Sequence, residues 1–498
     1  MPNNESQINL ADELSKQASL RPEATAINLP AGRVSFRQLE ILIWRAATFL
    51  YRSGIRPGDV IALTFANELA SITTMLATAR IGATAFSVPR GSPSVLQAEM
   101  VAEAKVRILA TDIADADSGG LPRLLVDVGI LAKDSTSIDT SVRDKHPQAP
   151  WLIITGSGST GRPKQIPITH SVFHSRMVLY SAQILTSPND CVASLIHSDF
   201  TVAKNQYLNA LFAGASICLF DRANTNPIEL CRRKQVTVLY AAVIHVEQLI
   251  NRLPGGSKNV LVSLRALMPT GSIVSDRLRQ RVLETLTPNL YVRYGTNETG
   301  SIALATPQDV HAISGTVGRP LSGVQVEVVA ADGMSLPTGD IGQIRIRSPG
   351  MIDHYLDDDD ATKRAFRDGW FLPGDLGKFT PDGQLIFLGR ADQMMIMDGI
   401  NIYPTEIETV IARHPAVRDS AVIPLHSAVH QDIPVCAVAL HQGENVTEEE
   451  LLNFAFQRLG SRYPRRIIIL EQIPRTEQGK LLLHQLSQEM AVRLRSPS

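Results

Sequence analysis

Thr155-Gly156-Ser157-Gly158-Ser159-Thr160-Gly161-Arg162-Pro163-Lys164 follows the apolar run Trp151-Leu152-Ile153-Ile154. An apolar run ending in small, hydroxyl-rich residues reads as a strand entering a loop. Glycines there admit dihedrals that let several backbone N–H groups converge on one anion. Ser157, Ser159 and Thr160 add hydroxyl donors, and Lys164 adds a cation. The combination suits a polyphosphate and points to a nucleotide enzyme.

Two familiar glycine motifs fit this stretch badly. Gly156, Gly158 and Gly161 have dinucleotide-fingerprint spacing, but that motif opens a helix and meets an acidic residue about 20 positions later. Pro163 and Pro167 oppose a helix, and no acid lies near Ser181. Gly156 and Gly161 also have the P-loop spacing. Arg162 stands where that motif needs Lys, and no Ser or Thr follows Lys164. A flexible Ser/Gly linker is opposed by the apolar strand before the stretch and by its Pro-Lys ending.

The stretch Ser157–Lys164 resembles the phosphate loop of the adenylate-forming superfamily, which includes acyl-CoA synthetases, stand-alone adenylation enzymes and luciferases. Five more segments follow in the family's order. Tyr294-Gly295-Thr296-Asn297-Glu298 resembles its Tyr-Gly-x-Thr-Glu segment, and Gly369-Trp370-Phe371-Leu372-Pro373-Gly374-Asp375 its Gly-Asp segment. Gly389-Arg390-Ala391-Asp392 resembles the junction between the family's two domains. Gly399–Glu408 resembles the start of the small domain, and Pro474–Lys480 the terminal lysine loop. Together they span nearly the whole chain.

Composition agrees without being diagnostic. The chain has 498 residues, 44% hydrophobic and 19% charged, enough for more than one core. A net charge of −1 gives no reason to expect nucleic acid or an anionic membrane as partner. Cys191, Cys218, Cys231 and Cys436 include no close pair, which fits neither a disulfide framework nor a zinc site. The polar start, Met1–Glu5, and the lack of a long apolar run lead to the expectation of a cytoplasmic protein without a membrane span.

Apolar strands alternate with helical patterns. A helical pattern runs through Tyr51, a strand covers Val60–Leu63, and a helix and strand run through Ile72 to Ser87. Further units cover Val192–Phe220 and Val236–Leu267. This is the signature of βα units around a parallel sheet. After Gly315 short strands with period-two alternation, Val324–Val328 and Gln343–Ile346, suggest a smaller, more exposed sheet. Beyond Asp392 a helix at Pro404–Arg413, strands near Val417–Pro424 and Val435–Leu440 and a helix at Glu448–Arg458 make an α+β set. The expected fold class is α/β, with a large N-terminal domain over 1–391 that includes a small β-rich part. A small, mobile α+β domain is expected over 392–498.

The resemblance implies an ATP-dependent acid–thiol ligase. A carboxylate is a poor electrophile, so it is first joined to AMP with release of pyrophosphate, and a thiol then displaces AMP. Both reactants of the first step are anions, so the site must supply positive charge where negative charge develops. The resemblance makes Lys480 the main cation of that step and Glu298 the Mg²⁺ ligand, a hard cation preferring carboxylate and phosphate oxygens. It places Ser157, Gly158, Ser159, Thr160, Gly161 and Lys164 on the phosphates. Tyr294 should line one adenine face, with Gly271 and Ser272 on the other side. Gly295, Thr296 and Asn297 complete that segment; Asn297 departs from the usual Thr but can still donate to a phosphate oxygen. Asp375 and Arg390 should hold the ribose, Asp392 should be the hinge, and Gly399 should wall a thiol tunnel. His197, Tyr240 and His245 are candidates for the acid pocket. The expected thiol is coenzyme A. The alternative is the phosphopantetheine of a separate carrier protein, since the chain ends at Ser498 soon after Lys480. A catalytically inactive binding or scaffold protein is the third reading, opposed by retention of Lys164, Glu298, Asp375, Arg390 and Lys480. Asp357–Asp360 fits no calcium loop and reads as a solvated turn.

Overall fold

Reciprocal capping starts the first long helix. Ser35 Oγ accepts from the Gln38 N–H, and Gln38 Oε1 accepts from the Ser35 N–H, at the head of Phe36–Arg52. The chain then enters the strand Val60–Thr64, the helix Glu68–Arg80 and the strand Thr84–Ser87. Glu68–Arg80 is buried on nearly every face, so it carries no amphipathic stripe. This computed structural model describes residues 9–87, 94–133, 138–143, 148–156, 164–184, 186–397, 400–427, 431–476, 479 and 481–495.

Among the described residues the strands form four sheets. Two are six-stranded and largely parallel. One runs from Arg123–Leu125 through Val60–Thr64 and Thr84–Ser87 to Pro150–Gly156 and Lys164–Thr169. The other holds Cys191–Ser194, Val238–Ala242 and Ala266–Thr270, with Thr25–Leu29 and Gly32–Ser35 at its far edge. Ser87, Thr155, Ala242 and Thr270 lie at or beside the carboxyl ends of strands in these two sheets, and they border one small cavity. Carboxyl ends of parallel strands are the usual ligand edge of α/β folds.

The third sheet is antiparallel and extends further than the alternation after Gly315 suggests. Its nine strands reach back to Val292–Thr296 and Gly300–Ala305 and forward to Asp375–Phe379 and Leu385–Arg390. The pairing is non-local, which short-range periodicity does not reveal. It brings the Tyr294 segment and the Gly-Asp segment onto one sheet. A Cβ on Gly318 would lie 1.8 Å from the Leu304 backbone, so the close approach of its strand to Gly300–Ala305 requires glycine.

The small C-terminal domain is α+β. Its five-stranded sheet is centred on Gln431–Leu440, antiparallel to Val417–Ser427 and parallel to Arg466–Leu470. Cys436 and Val438 face a core that includes Ile407, Ile411 and Leu451 of the helices Pro404–Ile411 and Glu448–Leu459. Val435 and Ala437 face Leu486 and Met490 of the helix Leu483–Arg495. This is strand alternation with both faces covered. Asp392 lies in a one-turn segment, Ala391–Gln393, between the third sheet and this domain. Asp358 caps the short helix Asp359–Ala365. All four cysteines are buried and free.

Candidate active site

The main cavity, about 550 Å³, opens between the parallel sheets and the antiparallel sheet and has the size of a small-molecule site. Gly156, Lys164, Gly271, Ser272, Tyr294 and Glu298 all line it, as do Gly295, Thr296, Asn297, Asp375 and Arg390. Ser157, Gly158, Ser159, Thr160, Gly161, Gly399 and Lys480 lie outside the described residues.

One end of the cavity is a polar chain. Tyr294 stacks at a tilt on Phe387, centroids 5.6 Å apart, and its hydroxyl donates to Asp375 Oδ2. Asp375 opens its strand directly opposite Arg390, which closes the neighbouring one. Arg390 Nη1 donates to Asp375 Oδ1 at 3.3 Å and to the Pro373 carbonyl. Its Nε and Nη2 grip both oxygens of Asp392, at 3.3 and 3.1 Å. Gly374 has φ +79°, and a Cβ there would lie 3.0 Å from Arg390 Nη2. Burial raises the Asp375 pKa, against the pull of Tyr294 and Arg390. Burial works against the Arg390 charge too, but its pairs with Asp392 and Asp375 outweigh it and raise its pKa. Tyr294, Asp375, Arg390 and Asp392 thus form a continuous connection from the cavity to the interdomain junction.

Glu298 defines a second corner. Its Oε1 accepts from Tyr355 Oη at 2.8 Å, and Lys164 Nζ lies 4.5 Å over the Tyr355 ring. A Cβ on Gly156 would come within 4.0 Å of the same Glu298 oxygen. The carboxylate therefore faces the end of the strand that leads into 157–163, beside the Lys164 cation. Arg176 braces this corner from below. It is buried on the helix His170–Ile184 and donates to the carbonyls of Gly350, Asn297 and Glu298 at 2.7, 3.1 and 2.8 Å. Burial lowers its pKa to about 10, with Glu298 opposing. Asn297 Nδ2 donates to the Thr155 carbonyl at 3.3 Å and ties the segment to that strand.

The other end of the cavity is lined from the helix Thr201–Phe212 by Thr201, Asn205, Gln206 and Asn209, and from Val292–Thr296 by Arg293. The three sequence candidates for the acid pocket sit elsewhere. His197 lies 3.3 Å from Asp199 and borders a separate shallow cavity beside Glu68 and Arg222. Tyr240 is buried in its strand behind Arg293, and His245 Nδ1 accepts from the Ala242 N–H at 3.3 Å. None of the three is among the described lining residues of the main cavity.

The small domain reaches this site. Gly479, φ +80°, seats against Ile244, 3.5 Å from the position of an added Cβ. Ile244 begins the helix Val243–Asn251, two residues after Ala242 at the border of the small cavity. Arg475 shapes the Gly479 turn. It donates to the Gly479 carbonyl at 3.1 Å and to both oxygens of Asp419 at 2.8 Å. The residue just before Lys480 is thereby held against the large domain.

Sequence reasoning missed Arg176, Tyr355, Arg293 and Arg475. Arg293 and Arg475 sit next to or inside recognised segments. Arg176 and Tyr355 come from distant elements and carry no local signal.

No helix among the described residues is long and apolar enough to cross a membrane, and no cluster of three or more His, Cys, Asp or Glu among them could hold a metal by itself. A family model described as AMP-binding enzyme matches residues 14–356, and one described as AMP-binding enzyme C-terminal domain matches 406–480. An indoleacetate–CoA ligase of Aromatoleum aromaticum is 27% identical over 497 residues, covering 95% of this chain and 96% of its own. A 2-succinylbenzoate–CoA ligase of Bacillus cereus is 28% identical, covering 96% and 98%. The fold is that of ATP-bound MatB from Rhodopseudomonas palustris, with a TM-score of 0.88, 24% identity and coverage of 97% and 99%.

Proposed function

The chain belongs to the AMP-binding enzyme family, and from that premise we propose that it joins a carboxylic acid to coenzyme A through an acyl-adenylate. The observation that carries this reading is the convergence on one cavity of the Tyr294–Asp375–Arg390 chain and the Glu298–Lys164 corner. The two relatives named as CoA ligases, matched over nearly their whole length, support the thiol.

In the first step a carboxylate oxygen attacks the α-phosphorus of ATP, and the bond to the bridging oxygen of pyrophosphate breaks. Tyr294 presents its ring to adenine, with Gly271 and Ser272 opposite. Asp375 accepts from the ribose hydroxyls, held in place by Arg390. Lys164 and the segment 157–161 take the phosphates. Glu298 suits Mg²⁺: it offers one carboxylate beside the phosphate segment, and Mg²⁺ is usually held by one or two carboxylates plus phosphate oxygens. When bound, the ion neutralises charge on the phosphates. Lys480, next to the docked Gly479, supplies the cation between acid and α-phosphate.

In the second step the thiol sulfur attacks the acyl carbon, and the bond to AMP breaks. The domain over 392–498 turns about Asp392 between the steps and brings Gly399 to the thiol path in place of Lys480.

ATP–pyrophosphate exchange across a panel of acids tests the reading, followed by coenzyme A and a carrier protein as acceptors. Exchange is expected with wild type and nearly abolished in Lys480→Ala, with ATP binding kept within a few-fold, because the lysine acts on transition-state charge. No exchange with any acid, while ATP binds, overturns it.

A further inference from the structure

A guanidinium removed from water needs an anion or several oxygen acceptors to offset its lost hydration. The other enclosed cations around the cavity have them. Arg176 holds three backbone carbonyls. Arg279 donates to the carbonyls of Val274 and Thr316, at 2.9 Å each, with Asp276 3.9 Å away. Lys204 donates to Ser87 Oγ and lies in the field of Asp199.

Arg293 differs. It lines the cavity, and its Nη1 donates to Ser301 Oγ at 3.1 Å. Burial lowers its pKa, and the opposing influence is the hydroxyl of Tyr240, not a carboxylate. Among the described residues no carboxylate pairs with it. The facing helix brings Asn205 and Gln206 to the same cavity. Asn205 Oδ1 and Gln206 Oε1 are buried acceptors without a hydrogen-bond partner, so they call for a donor and do not themselves argue for an anion. Native interiors rarely leave such groups unsatisfied unless a ligand or water completes them.

Strand geometry gives the spacing. Arg293 and Tyr294 leave neighbouring positions of the strand Val292–Thr296, and both line the cavity. Three residues of extended chain separate Arg293 from Thr296 at the phosphate corner, about 10 Å. An acid whose reacting carboxylate lies at that corner can put a second carboxylate, a few carbons away, within reach of the guanidinium.

We propose that Arg293 is a specificity-determining residue that receives the distal carboxylate of the acid, so that this site activates short-chain dicarboxylic acids. The inference rests on the adenylation reading and goes beyond it by naming the substrate class. Ser301 fixes one side of the guanidinium fork and leaves the other for a bidentate pair.

The test is ATP–pyrophosphate exchange with malonate, succinate and glutarate, each against the monocarboxylate of equal chain length and its own monomethyl ester. The variants are Arg293→Met and Arg293→Lys, with ATP binding and melting as folding controls. Wild type should favour a dicarboxylate in kcat/KM by about a hundredfold or more, since a site built for a charged partner rejects analogues lacking it. Arg293→Met should raise KM for the dicarboxylate and reverse the preference, and Arg293→Lys should restore part of it. Equal use of monocarboxylate or monoester by wild type, or an equal loss on all acids in Arg293→Met, overturns the proposal and leaves adenylation standing. If no acid supports exchange while ATP binds, the adenylation reading falls separately. The anion site is then decided by calorimetry: succinate bound by wild type and lost in Arg293→Met upholds it, and equal or absent binding overturns it.

Discussion

Arg277, on the large domain, donates to the backbone carbonyl of His414, on the small domain, at 3.0 Å. The same guanidinium reaches the carbonyls of Ala412, Pro415 and Val417 and touches His441 Nε2 at 3.1 Å. These carbonyls follow the helix Pro404–Ile411, so one arginine caps its C-terminal end across the interface. In this pose Gly479 rests on Ile244, so the proposed adenylation step is assigned to it.

Arg277→Ala should therefore weaken this pose without touching the nucleotide. Loss of several charge-assisted bonds, each worth about 1.5–3 kcal/mol, is partly recovered by water, so adenylation should fall roughly 10- to 100-fold. Thioester formation from supplied acyl-adenylate should remain near wild type. A single-turnover comparison of the two half-reactions decides it. Equal loss of both would make Arg277 a general stability residue.

Asp375→Ala should weaken ATP and AMP alike, because both carry the ribose. The carboxylate is also the partner of Tyr294 Oη and Arg390 Nη1, so the variant loosens that end of the cavity as well. A penalty of about 1.5–3 kcal/mol is expected for each nucleotide. Calorimetric affinities unchanged for both would reduce Asp375 to a turn residue.

Legibility in the sequence followed the range of the interactions. Tyr294 and Glu298 sit in one contiguous motif, and Asp375 and Arg390 each lie in a short recognisable segment, so all four could be named before any fold was in hand. The parallel sheets were legible because strands buried on both faces read as apolar runs, as in Val238–Ala242. The antiparallel sheet was legible only in pieces, since nothing near Gly315 says that its sheet extends to Val292. Arg176, Tyr355 and Arg277 act through backbone or side chains more than 50 residues away, so no local pattern marks them. Arg293 stood beside a recognised motif, but its isolation from carboxylates is a property of the packed interior.

Glu247 faces the small domain, and burial pushes its pKa up to about 7. Asp419 raises it further, while Arg475, Arg281 and Arg277 lower it. Separation of the domains would return it toward the ordinary value of about 4.3. The docked pose thus binds a proton more tightly. Glu247 favours docking fully below that ordinary value, and the contribution is lost as pH rises through 7, by up to about tenfold per pH unit. His414 and His441 act in the opposite sense, since burial and Arg277 hold both below the ordinary histidine value. The difference between wild type and Glu247→Gln isolates the carboxylate. Interdomain distance from paired fluorescent labels at pH 5 to 8 should show wild-type docking weakening, relative to the variant, from pH 5 to 7. Parallel profiles for the two proteins would remove Glu247 from the account.

Asp392→Pro probes the turn between the steps. Asp392 sits in the segment Ala391–Gln393, with both carboxylate oxygens on Arg390. Proline fixes φ near −65° and restricts the residue before it, so the junction loses its freedom to rotate. It also deletes the Arg390 pair, which Asp392→Ala deletes alone. The pose described has Gly479 on the large domain, so a junction frozen in it should keep pyrophosphate exchange within about tenfold, the cost of one partly exposed charge pair being small. Thioester formation should then be almost lost, because on the proposed function the second step needs the domain to leave the pose with Gly479 on Ile244. Asp392→Ala should retain both steps within a few-fold. Paired single-turnover measurements on the two variants separate the effects. Loss of both steps in Asp392→Pro, or of neither, would count against two alternating poses, and a matching loss in Asp392→Ala would assign the effect to the Arg390 pair rather than to rotation.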